Sequence, residues 1–519
     1  MPSRNRRCPP YFNRRNLRML SSPGGHAAMP STDVAAPVSP ERHRPALALT
    51  LILTCQMMLM LDATVVNIAL PDIGQELGFS AAGLSWVLNA YTLAFGGLLL
   101  IGGRIGDLIG RRRALTIGVL AFTAASLLGG LVDSAGWLLF ARAAQGAAAA
   151  LTAPSTLALV ATATAFGEGR ERERALGLFT ATAAAGSAIG MILGGILTEA
   201  GSWRWTLFIN VPVGLAVAAL IPLTIAETQR HRARFDVAGA LTGTGGVTAL
   251  VYAFIRAADH GWGDAQVTWA FAAAVLLPVF LLVERRVRRP VVALELFAVR
   301  NRVIAFAAML LVPAAMFGVF YFDTQYFQFV RDYSPLRAGV AFLPLAVGIF
   351  AASTLAGRLL ARHGLKKVAG TGLALAFAGV LWQSTLSTGS GYWTTLFVPL
   401  AVNGFGVGLV FMPLSVLILT GIRPDQAGAA SGLMQTMQQV GGALGLSALV
   451  TVYGSAARGA GGPASGPGAM AEGFSAGLLA AAAFMAVALV LVLASRTPRA
   501  HRPTGSEQQG LNTRVGPAR

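Results

Sequence analysis

Apolar residues come in long unbroken runs along this chain, separated by short polar turns. The runs fall near 46–70, 83–102, 113–132, 137–160, 175–198, 205–226, 236–256, 267–283, 303–329, 338–360, 368–386, 393–420, 427–453 and 474–494. A helix needs about 17–25 predominantly apolar residues to cross the hydrocarbon of a bilayer. The pattern therefore predicts about fourteen membrane-spanning helices, with the runs at 236–256 and 267–283 the least regular. Residues 1–44 are polar and rich in Arg, Ser and Pro, which predicts a disordered tail, and a second tail follows at 496–519. The first tail lacks the apolar segment of a secretory signal, and Met29 offers an alternative start.

Composition agrees with the pattern. Only 12% of the 519 residues are charged and 55% are hydrophobic, whereas a soluble domain carries roughly a quarter charged residues. A polytopic membrane protein is the class that fits. The net charge of +18 raises the question of nucleic acid. Its Lys and Arg sit in short clusters between apolar runs, without a basic face or aromatic platform, so nucleic-acid binding is excluded as a reading. Cys8 and Cys55 are the only cysteines, which rules out a disulfide framework or a thiolate metal site. No Gly-Lys pair occurs, so no phosphate-binding P-loop is present, and no bound cofactor is implied. Gly404, Gly406 and Gly408 lie inside an apolar run and read as packing glycines, not as a dinucleotide turn.

The basic clusters fall in every second loop: Arg111–Arg113, Arg170/Arg172/Arg174, Arg230/Arg232/Arg234, Arg285/Arg286/Arg288/Arg289, Arg362/Lys366/Lys367 and Arg423. Pro71–Ser80 and Asp133–Gly136, between them, hold few. The positive-inside rule puts the basic loops and both termini in the cytoplasm. The chain also echoes itself. Gly103–Arg113 follows the second run and Gly357–Lys367 the tenth, each with small residues and then a basic cluster. Internal duplication of this kind is how many transporters are built, with the site near the midplane.

Against this background an acid in the first run is costly. The run from Ala46 to Leu70 is about 37 Å long as a helix, with Asp62 about 24 Å from one end and about 12 Å from the other. A charged carboxylate at such depth costs on the order of 3 kcal/mol on insertion scales. Burial favours the neutral acid, and a nearby cation favours the carboxylate. Two readings stand: a proton-carrying or substrate-facing acid, or a structural acid neutralised by an Arg. Arg142 in the fourth run lies about 8 Å below the same face, close enough to reach Asp62 directly or through water. The geometry then predicts Asp62 as the proton carrier and Arg142 as its tuning cation, against a purely structural role for the arginine.

Other intramembrane polar groups are candidates for a substrate cavity: Asn67, Asn89 and Gln145 in the first half, and Asp323, Gln325, Gln328, Asn403 and Gln435 in the second. Phe320, Tyr321, Phe322, Tyr326 and Phe327 surround Asp323 and could offer π faces to a cationic aromatic ligand. The competing expectation is an interfacial, solvated Asp323 paired with Arg331. For Asn403, Gln435, Gln438 and Gln439 it is hydrogen bonding between helices. Gly186, Gly190 and Gly194, with Gly195 following, form a bare stripe along the fifth run and predict close helix packing. Gly103, Asp107, Gly110, Arg111 and Arg112 predict a latch: the glycines let helix ends approach, Asp107 accepts from a helix N-terminus, and the arginines pair with carboxylates of the opposite half in one conformer. A tight turn with positive-inside charges is the alternative for Arg112 and Arg113.

Four stretches together resemble the major facilitator superfamily, and within it the fourteen-helix drug:proton antiporters. They are Leu61–Pro71, Gly103–Arg113, Arg142-Ala-Ala-Gln-Gly146 and Trp203–Gly214, in the family's order and on matching helices. The chain departs from the family at Leu108, where a basic residue is usual, and at Met191, where the antiporter motif has a proline. The resemblance implies an all-α major facilitator fold of about fourteen transmembrane helices: a six-helix half at 45–228, two linker helices at 229–290 and a second half at 291–495. It implies no enzyme activity, a monomer in the cytoplasmic membrane, and proton-coupled efflux of a small amphipathic drug or antibiotic by alternating access. The alternatives are transport of another small metabolite, or a membrane sensor without transport.

Overall fold

In the computed structural model of the protein the described residues are 45–80, 82–162, 170–227, 237–286, 294–422, 426–462 and 466–495. Both expected tails and the basic positions Arg230, Arg232, Arg234, Arg288, Arg289 and Arg423 lie outside them. Among the described residues every regular element is a helix. The first group comprises α1 (Pro45–Leu77), α2 (Trp86–Ile109), α3 (Arg111–Leu131), α4 (Ala135–Thr162), α5 (Arg170–Ala200), α6 (Trp205–Phe208) and α7 (Asn210–Thr224). Next come α8 (Val237–His260), α9 (Ala265–Ala273) and α10 (Leu276–Arg286). The last group is α11 (Arg300–Gln325), α12 (Pro335–Ala341), α13 (Leu343–His363), α14 (Leu365–Gln383), α15 (Val398–Leu419), α16 (Ala427–Gly459) and α17 (Pro467–Leu493). A π-helical segment, Tyr326–Val330, lengthens α11, and another, Trp393–Phe397, leads into α15.

Each of the fourteen apolar runs thus coincides with one or two helices. Eleven helical passes among the described residues are long and apolar enough to cross a membrane. The other three correspond to α5, α8 and the pair α9–α10. In α5 the described apolar stretch is Ala185–Ala200, and across α9–α10 it is Ala265–Phe280, both shorter than a full span. In α8 a Thr- and Gly-rich first half and Arg256 dilute the apolar character.

The internal echo is structural. α2 and α3 are joined by the single residue Gly110 (φ 100°, ψ 140°), and α13 and α14 by the single residue Gly364 (φ 78°, ψ 164°). An L side chain is strained at both, so one glycine ends a helix and starts the next. The packing partners repeat as well: α2 on α4 and α3 on α4 in the first half, α13 on α15 and α14 on α15 in the second. Likewise α1 lies on α5 and α11 on α16. Close backbone approach makes this possible in α15. A Cβ on Gly404 would lie 2.2 Å from the Leu345 carbonyl oxygen of α13, and one on Gly406 would lie 2.4 Å from the Ala376 nitrogen of α14.

The predicted glycine stripe divides its work. Gly186, Gly190 and Gly194 face Met60, Thr64 and Val65 of α1, whereas Gly195 faces Pro335 and Leu336 of α12, in the other half. The additional helix α8 packs on α2, on α16 and on its neighbours α9 and α10.

Candidate functional site

The acid of α1 and the arginine of α4 meet directly. Arg142 Nη1 donates to Asp62 Oδ2 at 2.6 Å, and each residue is only 1% exposed. Gln145, one turn further along α4, donates from Nε2 to Asp62 Oδ1 at 3.0 Å. Asn210, the first residue of α7, donates to the same oxygen at 2.9 Å. The carboxylate therefore receives three donors from two helices. Such saturation offsets the desolvation of a buried charge, and losing one partner of a buried pair costs about 3–5 kcal/mol.

Arg142 has further attachments. Its Nε donates to the Val87 carbonyl of α2 at 3.1 Å, and its Nη1 also donates to Gln145 Oε1 at 2.9 Å. The guanidinium carbon lies 4.6 Å from the Tyr91 ring centre, a cation–π contact. Gln145 donates in turn to Ser126 Oγ of α3 at 2.7 Å. Five helices, α1, α2, α3, α4 and α7, thus converge on one carboxylate–guanidinium pair. Among the predicted residues Asp62, Arg142 and Gln145 are brought together. Tyr91, Ser126 and Asn210 were not predicted. Asn210 lies within the quoted stretch Trp203–Gly214, which was the one available signal.

About a turn and a half further along, α1 reaches across to the other half. Asn67 Nδ2 donates to Thr324 Oγ1 at 3.0 Å and to the Phe320 carbonyl at 3.1 Å, both on α11. Gln328 Nε2 donates to the Ile68 carbonyl at 2.8 Å. Nearby, the Leu336 backbone N–H donates to Glu199 at 3.0 Å, and Gly339 of α12 lies against Met191 of α5. These contacts bring the halves together at the end of the bundle away from the Gly103–Arg113 turn. Asn67 and Gln328, two of the expected cavity residues, are therefore bonded across the halves.

The second-half candidates do not gather around Asp62. For Asp323 two expectations stood, a cavity-lining acid and an interfacial acid paired with Arg331. It is fully buried and accepts from Gln383 of α14 at 3.2 Å, while Arg331 donates to the Ser390 carbonyl at 2.6 Å. Tertiary packing explains the difference: Gln383 of α14 reaches the carboxyl, and the neighbouring Phe322 and Tyr326 rings pack on Phe474 of α17. The surrounding rings are core, not ligand-facing walls. Phe322 stacks on Tyr453 and Phe327 on Tyr333, and Tyr321, Phe322, Tyr326 and Phe327 are all fully buried. Gln325 is buried and hydrogen-bonds Tyr321. Asn89 and Asn403 are buried with neither amide atom partnered, so Asn403 is not the expected interhelical bond. Gln435 is half-buried on α16, and Gln438 donates to Met309 Sδ at 3.8 Å. A groove of about 520 Å³ lies elsewhere, between α2, α8 and α9, lined by Trp86, Tyr252, Gln266 and Trp269 among others; none of the predicted cavity residues lines it.

The predicted latch pairs within its own half. Asp107 binds Arg111 one turn on. Glu227, beyond the end of α7, accepts from the Arg112 backbone N–H at 3.1 Å and lies 3.6 Å from Arg112 Nε and 3.7 Å from Arg113 Nε. The helix N-terminus of α3 is thus served by Glu227 and not by Asp107, and Glu227 went unpredicted. An acid at a helix N-terminus is stabilised by the exposed N–H groups there.

Comparison with known proteins supplies the family and the fold. Residues 52–446 match the Major Facilitator Superfamily. The puromycin resistance protein pur8 of Streptomyces alboniger is 41% identical over 449 residues, covering 85% of this chain and 89% of that protein. The cephamycin export protein CmcT of Amycolatopsis lactamdurans is 39% identical over 462 residues, covering 87% of this chain and 93% of that protein. Among solved structures, a bacterial homologue of the human lysosomal transporter Spinster, inward-facing and unoccupied, superposes with a TM-score of 0.63 at 17% identity, covering 92% of this chain and 100% of that one. A peptide transporter in complex with sulfate gives a TM-score of 0.64 at 16% identity, covering 88% and 96%.

Proposed function

This chain belongs to the major facilitator superfamily, a multi-pass membrane transporter family, and on that premise we propose that it exports a small amphipathic antibiotic or drug in exchange for protons. The observation that carries the reading is the buried Asp62–Arg142 pair with Gln145 and Asn210 on the same carboxylate. The named resistance and export activities of the relatives support the substrate class. With the basic loops cytoplasmic, the contacts of Asn67, Gln328 and Glu199 would form the external seal between the halves.

The geometry suggests how a proton acts. In the ionised state Asp62 is held by three donors. A proton on Asp62 cancels its charge and frees the Arg142 contact, while Arg142 keeps the Val87 carbonyl, Gln145 Oε1 and the Tyr91 ring. The arginine stays placed, and α1 becomes the element free to move. Asn67 lies five residues beyond Asp62, about 7.5 Å along the same helix. A change at the carboxyl is therefore transmitted by a short rigid lever to the seal. At 100 mV one inward proton supplies about 2.3 kcal/mol, enough for roughly a fortyfold gradient of a neutral substrate. The two half-bundles, with α8–α10 between them, are the bodies that rock.

Dye or antibiotic efflux from membrane vesicles, with and without a protonophore, tests the reading. Wild-type protein extrudes substrate only while the proton gradient stands, and Asp62→Asn abolishes extrusion at unchanged expression. Proton-independent extrusion, or full efflux by Asp62→Asn, removes the proposal; uptake in place of extrusion favours a metabolite importer.

A further inference from the structure

A second buried acid lies in the other half, away from the Asp62 cluster, and its surroundings differ in kind. Asp323 of α11 is fully buried, as is Gln383 of α14. One amide hydrogen bond at 3.2 Å links them, from Gln383 Nε2 to Asp323 Oδ2. The other carboxyl oxygen, Asp323 Oδ1, has no partner, and neither has Gln383 Oε1. Asp62 has an arginine at 2.6 Å and three donors, whereas Asp323 has one neutral amide. A buried charge without a countercharge or a full set of donors is disfavoured far more than a neutral acid with the same single bond.

The titratable and charged groups on the elements around Asp323 supply no countercharge. On α11 and its extension they are Arg300 and Arg302 at the far end, Tyr321 and Tyr326. Beyond the extension lie Arg331, Asp332 and Tyr333. On α16 they are Tyr453 and Arg458, on α17 the exposed Glu472, on α14 Lys366 and Lys367 at the far end, and on α1 Asp62, Asp72 and Glu76; α15 has none. Arg302 is committed to the Ile418 and Thr420 carbonyls, Arg331 to Ser390, and Arg458 to the Ala258 carbonyl.

We propose that Asp323 is a second proton-binding site, which holds a proton while the halves are sealed together and releases it when the seal opens. The seal is adjacent. Thr324, the next residue, accepts from Asn67 of the other half, and Phe320, one turn back, accepts from the same amide. Ionising Asp323 requires water or a cation, and parting α1 from α11 is the motion that admits water beside it. The proton transfer is a simple dissociation from the carboxyl to water, with no other reactant. The sign follows: a proton held more tightly in the sealed conformer favours sealing at low pH and opening as pH rises. This site stands on its own geometry and does not require Asp62 to be the coupling acid.

Infrared difference spectroscopy on the reconstituted full chain tests it. Wild-type protein at neutral pH shows a protonated-carboxyl C=O band that is lost in Asp323→Asn and kept in Asp62→Asn. Gln383→Leu, which removes the single amide donor, retains the band and shifts it to higher wavenumber. A band at neutral pH that survives in Asp323→Asn, its absence from the wild type, or its indifference to Gln383→Leu each overturns the proposal. Loss of the band only in Asp62→Asn does so too, while strengthening the Asp62 reading, so the two accounts fail separately.

Discussion

At the residue scale the Asp62 carboxylate is defined by how many donors it keeps. Asn210→Ala removes one of the three and leaves the arginine in place. The buried carboxylate then keeps two donors instead of three, so Asn210→Ala is expected to lower stability by about 1.5–3 kcal/mol, the worth of a hydrogen bond to a charged group. A thermal-shift measurement checks this, and an unchanged melting temperature contradicts the assignment. Asp62 and Arg142 were legible in the sequence because a charge in an apolar run is expensive and has to be explained. Tyr91, Ser126 and Asn210 were not, since uncharged polar residues occur in many membrane helices and only tertiary neighbours tell a site from a packing contact. The surroundings of Asp323 were misread for a different reason: its place near the end of the apolar run does not show that Gln383, 60 residues on, reaches its carboxyl inside the bundle.

At the element scale the two single-glycine turns form a controlled pair. Gly110 and Gly364 both hold positive φ, and a non-glycine residue in such regions costs about 1–3 kcal/mol. They differ in surroundings. A Cβ at Gly110 would lie 2.3 Å from Glu227 Oε1, whereas at Gly364 it would meet nothing within 4 Å. Gly110→Ala is therefore expected to lower thermal stability more than Gly364→Ala, because it adds displacement of Glu227 from the α3 N-terminus to the backbone strain. Equal losses in a thermal-shift measurement would show that Glu227 contributes nothing to the turn. The duplication itself was readable from the paired glycine and basic spacings. The role of Glu227 was not, because it is 115 residues from Arg112. The α5 stripe was read with Gly195 as one surface, yet Gly195 stands about 100° around the helix from Gly194 and faces the opposite half; periodicity separates the two faces but does not say what each packs against.

At the scale of the whole molecule, the proposed mechanism makes α1 the link between the chemistry and the motion. It carries Asp62 in the first half and, through Asn67 and Ile68, the bonds to α11 in the second. The helix order, the halves' shared packing and the family were all legible from apolar runs and motif order. Which residues bond across the halves was not, because hydropathy does not pair one helix with another. Proton movement driven by substrate tests the central claim most directly. Purified protein is reconstituted in liposomes with a pH dye inside and a pH gradient imposed, and substrate is then added. The account predicts that substrate dissipates the gradient through the wild-type protein and does not do so through Asp62→Asn, although the variant still binds substrate. Substrate-driven proton movement of wild-type size through Asp62→Asn would contradict it.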